Sequence, residues 1–228
     1  MRLSGHCARI IILVMFVFES GICRCNINAA IVNNYCFTFE QESNYYKHDS
    51  RIRGIIDMVF PDSPCEEKYS WRMLLLGTVA VESNFLDRYA GKSQNGNGPY
   101  QIIADTVYGV IHRYITYPVK DNPRMAVRNG LIPLFERATG GRVKWDILFQ
   151  MSKAGLIELC VNDHDFAALI SLLVYKDAFE RDRVAVIPRD IAALACLWKK
   201  YYNTDSGMGR CRYFIDRFLP IYCYLTPG

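Results

Sequence analysis

Residues 73–82 read MLLLGTVAVE, nine uncharged and mostly apolar positions ending in an acid. A helix that is apolar around most of its circumference belongs in a core, so this stretch predicts a central helix from about Glu66 to Leu86. Its last turns carry Glu82. A carboxyl group next to Leu74, Leu75, Leu76, Val79 and Val81 loses part of its hydration, and burial raises a carboxyl pKa. The plain alternative is a Glu82 that faces solvent or caps the helix.

Working outward, helical spacing recurs at Ile52, Ile55, Ile56 and Val59, and the run Pro61, Asp62, Ser63 and Pro64 stops that helix near Phe60. Residues 24–50 lack a clear period and read as an irregular lead-in. Downstream, helices are predicted over about 105–114, with Asp105 and Thr106 as caps, and over 124–137, 145–160, 163–179, 189–202 and 211–219. Between the central helix and the first of these lies GKSQNGNG (91–98), a loop or hairpin by its turn chemistry, followed by a short extended segment at 99–103. The expected class is mainly α. Three stretches are distinguished: a hydrophobic N-terminal segment at 1–25, an irregular and helical lead-in at 26–65, and a catalytic domain at 66–228.

At 228 residues and 51% hydrophobic, the chain can bury a real core. Lys and Arg total 27 against 23 Asp and Glu, a balance with no basic run and no argument for nucleic acid. Arg2 and Arg9 precede the apolar run Ile10 to Phe18, and Glu19, Ser20 and Gly21 follow it. This layout imitates a secretory leader, or else forms an uncleaved hydrophobic arm. At well under the ~20 residues a bilayer requires, it does not read as a span, and any membrane contact would come through this segment alone. The 9 cysteines are scattered and read as reduced core thiols, with pairing among the last four or between Cys36 and Cys65 as the alternative outside a cytoplasm. Neither they nor the 4 histidines have metal-site spacing, so no metal and no cofactor are expected.

Three short motifs follow one another along the chain: Glu82-Ser83, then Gly98-Pro99-Tyr100-Gln101-Ile102, then Tyr201-Tyr202-Asn203-Thr204. In this order, with the glycine-rich loop between the first two, the sequence resembles the lytic transglycosylases and goose-type lysozymes. GTVAVESNF, NGNGPYQI, a Tyr-bearing helix around Tyr175 and WKKYYNTDSGMG look like a bacteriophage branch of that superfamily, over roughly residues 70–220. The resemblance implies a lysozyme-like helical domain with a short hairpin or extended segment beside the cleft. It also implies a phage or prophage origin, on the virion or exported to the periplasm or cell wall, with peptidoglycan strands, and other virion or wall-penetration proteins, as partners.

Carried over residue by residue, the resemblance makes Glu82 the general acid and base. Ser83 and Gln101 would bond substrate or the reacting centre, and Tyr202 and Asn203 would orient the acid or the sugar. Tyr100 stands where many relatives have an aliphatic residue or Met, and its phenol is expected to stack on a sugar. The plain readings are that Ser83 bonds back to its own helix, Gln101 caps a strand end and Tyr202 is a core ring. Asp87 and Asp105 are the nearest candidates for the second carboxylate of ordinary glycoside hydrolysis, and both read as surface or capping residues. One carboxylate fits the transglycosylase chemistry, which ends in a 1,6-anhydro sugar. A positioned water would make the enzyme a muramidase instead. A non-catalytic virion or tail component with the same shell is the reading from another class.

Overall fold

The computed structural model describes residues 38–86, 98–113, 132–141, 144–203 and 210–225. Eight helices are named here: α1 (Phe39–Val59), α2 (Cys65–Ser83), α3 (Ala104–Ile111), α4 (Trp145–Gln150), α5 (Lys153–Asn162), α6 (His164–Asp182), α7 (Ile191–Trp198) and α8 (Cys211–Leu225). A further helical stretch covers 132–138, and the described residues contain no strand ladder, so the class is mainly α. Among them, no helix is long and apolar enough to cross a membrane. The leader-like segment 1–25 and the glycine-rich residues 91–97 lie outside the described residues.

The centre is built on α2 and α6. From Ser70 to Val81 only Arg72 escapes full burial, and in α6 the run Phe166 to Leu173 is buried throughout. α2 packs on α1, α6 and α7, while α6 also receives α1, α3 and α5. At Gly77 the Phe214 ring of α8 lies directly over α2, in the space a Cβ would occupy. α2 stops at Asn84 and Phe85, both left-handed at φ 54° and 61°. That conformation suits Asn but costs about 1–2 kcal/mol at Phe85, where full burial of the ring against Tyr45 offsets it.

Residues 39–50, expected to be irregular, are helical. Thr38 and Gln41 form a capping box: the Thr38 Oγ1 accepts from the Gln41 amide at 3.1 Å and the Gln41 Oε1 accepts from the Thr38 amide at 3.0 Å. The face that α1 buries runs Asn44, Tyr45, His48, Asp49, Ile52, Ile55 and Ile56, so its N-terminal half is largely polar and its hydrophobic period is hidden there. Asp49 is compensated by Arg53 (2.8 and 3.0 Å) and by Arg72 of α2, which ties the two helices together. Residues 37–219 form one compact unit, and 220–225, the end of α8, belong to a second.

Other boundaries move for local reasons. The helix predicted over 145–160 is two helices, since Met151 and Ser152 are extended and Ser152 Oγ caps α5 by accepting from the Gly155 amide at 3.2 Å. Segment 99–103 is mostly a turn rather than extended, with Gln101 left-handed at φ 49°. The helix expected to start at Asp105 begins one residue earlier without a side-chain cap. α8 runs through Pro220 instead of stopping at Leu219.

Candidate functional site

Glu82 lies in the final turn of α2, half-buried. That end of a helix presents carbonyl oxygens and disfavours negative charge. Loss of water raises the carboxyl to a pKa of about 7 from the ordinary 4.5, and one hydrogen bond, from the Trp198 indole, pulls against that shift. Trp198 Nε1 donates to Glu82 Oε1 at 3.1 Å, and the indole is fully buried at the end of α7.

After Trp198 the chain makes a wide π-type turn over Lys199–Asn203, a distortion that often accompanies functional sites. It puts Tyr202 against α6, with its ring stacked on Tyr175 at 5.3 Å between centroids. Both phenols are held well above their ordinary pKa, first by burial, and Glu82 contributes in the same direction to each. The acid and the two phenols therefore share one electrostatic environment. All three are favoured in their neutral forms.

Two hydrogen-bonded chains fix those phenols. Tyr175 OH pairs at 2.8 Å with the Oγ1 of Thr78, one turn of α2 before Glu82, and that hydroxyl donates to the Leu74 carbonyl at 2.8 Å. Tyr202 OH donates to the Tyr100 carbonyl at 2.7 Å and lies 3.2 Å from Ser171 Oγ. Through that carbonyl the third motif holds the backbone of the second, although 102 positions separate them in sequence.

The second motif is a turn made rigid by its own groups. Gly98 (φ 73°) and Gln101 (φ 49°) are both left-handed. The Gln101 amide N–H bonds the Gly98 carbonyl at 3.2 Å, and its side-chain Nε2 donates to the same oxygen at 2.8 Å. A Cβ at position 98 would be in ordinary contact with the Cys160 carbonyl at 3.4 Å, so the turn rests against the end of α5 and it is the left-handed backbone that favours glycine there.

The structure thus gathers Glu82, Tyr202 and the backbone of the Gly98–Gln101 turn. Two expected roles are corrected. The Tyr100 ring is fully buried, edge-on to His48 at 6.1 Å between centroids, and has no face to offer a sugar; Tyr100 contributes its carbonyl instead. Ser83 is buried and its hydroxyl donates to the Val79 carbonyl at 3.1 Å, which commits its proton to its own helix. Asn203 is half-buried and its Oδ1 accepts from Lys199 Nζ at 3.2 Å. Asp105 is exposed and paired with Lys153, and Asp87 lies outside the described residues. The reading of the cysteines as core thiols holds for Cys160 alone among those described: Cys65 and Cys196 are exposed, and Cys211 and Cys223 half-buried.

Trp198 and Thr78 were not singled out from the sequence. A signal for Trp198 existed: it precedes Tyr202 by four positions on one helical path, and a buried indole requires an acceptor for its N–H. Compared with known proteins, the chain matches no protein family, no curated protein and no solved structure.

Proposed function

We propose that this chain is a peptidoglycan-cleaving lytic transglycosylase in which Glu82 is both acid and base for the β-1,4 bond between N-acetylmuramic acid and N-acetylglucosamine. The observation that carries the reading is the Glu82 carboxyl, poised near pKa 7 by burial while bonded to the Trp198 indole at 3.1 Å. A proton donor that also serves as base works best with a pKa near the operating pH.

The indole N–H can only donate, so Oε1 of Glu82 is an acceptor and the carboxyl proton resides on Oε2. In the first step that proton moves to the bridging oxygen as the glycosidic C–O bond breaks and its electron pair leaves with the departing sugar. The charge that appears on Glu82 is met by the Trp198 N–H, a bond that strengthens when its acceptor is ionised. In the second step the carboxylate removes the proton of the muramic acid 6-hydroxyl, and that oxygen closes on its own anomeric carbon. The product is a 1,6-anhydro sugar, and Glu82 is protonated again. Burial and the Trp198 bond account for the Glu82 shift with no second carboxylate acting among the described residues, which suits a one-carboxylate mechanism better than a paired one.

The full-length protein and its Glu82→Gln variant are to be incubated with purified sacculi and the soluble products analysed by mass spectrometry. Anhydro-muropeptides from the parent and none from the variant are expected. Muropeptides with free reducing ends would replace the transglycosylase by a muramidase. Fragments released equally by both proteins, or by neither, would overturn the assignment and favour a non-catalytic virion or tail component.

A further inference from the structure

Outside this site, the feature with the most chemistry is a pair of thiols. Cys196 is exposed on α7 and Cys211 half-exposed at the start of α8, and the two are close enough for hydrogen-bonded and electrostatic coupling of their side chains. The same two helices also meet through their rings: Trp198 of α7 and Phe214 of α8 have centroids 5.9 Å apart, and Phe214 in turn lies over Gly77 of α2. The side-chain contact between the two thiols therefore lies at the junction of α7 and α8.

We infer that Cys196 and Cys211 are a redox pair that closes into a disulfide clasp between α7 and α8. A small-molecule disulfide, such as oxidised glutathione, supplies the oxidising equivalents. The Cys196 or Cys211 thiolate attacks one sulfur of that reagent and expels a thiolate. The second cysteine then displaces the other half, so that one internal S–S bond forms, two protein S–H bonds are lost and the reagent is reduced to two thiols. Exposure of Cys196 gives the reagent access.

The ring so closed contains roughly 15 residues and encloses Trp198 and Tyr202, so oxidation restrains the segment that holds the candidate acid. The clasp itself does not depend on the acid-base reading of Glu82. Its test accordingly needs no substrate.

The full-length protein is to be equilibrated with oxidised glutathione, its remaining thiols blocked, and the unreduced digest mapped by mass spectrometry. A Cys196–Cys211 cross-link is expected, reversed by dithiothreitol and absent from the C196S and C211S variants. Thermal melting of the oxidised parent should lie roughly 5–10 °C above that of the reduced parent, a difference missing from both variants. Either cysteine joined to a different cysteine, both stopped as mixed disulfides with glutathione, or both still free would overturn the inference. So would a cross-linked protein that melts with the reduced one.

Discussion

Glu82→Gln should make the protein more stable, and only above mild acidity. Burial raises the folded-state pKa of Glu82 from 4.5 to about 7, so between those values the unfolded chain gives up a proton that the folded chain keeps. Fewer protons on the unfolded state means that stability falls as pH rises through this window and then levels off above it. The shift corresponds to about 3 kcal/mol at pH 8, and to almost nothing at pH 4. Gln copies the protonated acid: its Oε1 can accept from Trp198 Nε1 and it carries no charge to desolvate. Thermal or urea unfolding of parent and variant at pH 4 and pH 8 measures the effect directly. Near-equal stability is expected at pH 4, and at pH 8 the variant should melt roughly 5–10 °C higher. A difference that is the same at both pH values, or a variant destabilised at pH 8, would refute the claim that this carboxyl is held away from water. The same substitution should abolish cleavage of sacculi, so stability and activity are predicted to move in opposite directions at one residue.

Trp198→Phe keeps most of the ring and removes the N–H. Without that donor the Glu82 pKa should rise by roughly one unit, and the alkaline descending limb of the kcat/KM pH profile should move upward with it, whereas a purely structural role would lower activity without moving the limb. Tyr202→Phe deletes the hydroxyl that bonds the Tyr100 carbonyl at 2.7 Å. Leaving that carbonyl unpaired is expected to destabilise the protein by about 1–3 kcal/mol in urea unfolding and to speed amide exchange in the Gly98–Gln101 turn; unchanged exchange there would show that the turn is held by other means.

The central helix was legible because its signal is local. Ten positions from Met73 to Glu82 specify both an apolar cylinder and the acid at its end, and the structure has that helix at Cys65–Ser83. α6 and α7 were legible for the same reason, within a few residues at each end. Helix α1 was missed where its buried stripe becomes polar, since Asn44, His48 and Asp49 interrupt the hydrophobic period and only the partners Arg53 and Arg72 make an acid at position 49 tolerable in a core.

At the site, the apolar run before it singled out Glu82, and the family resemblance added Ser83, Tyr100, Gln101, Tyr202 and Asn203, because motif order is preserved in the string of letters. That order did not reveal which way each side chain turns. Ser83 and Glu82 are neighbours in sequence, yet consecutive residues on a helix point about 100° apart, so one hydroxyl turns back onto its own helix while the adjacent carboxyl meets an indole from α7. Likewise Tyr100 gives its ring to the core and only its carbonyl to Tyr202. The residue types and their order were thus determined by the sequence itself. The pKa near 7, the identity of Trp198 as donor and the phenol pair around Glu82 were decided by tertiary structure, because solvent exclusion and hydrogen-bond direction arise only when helices distant along the chain are packed together.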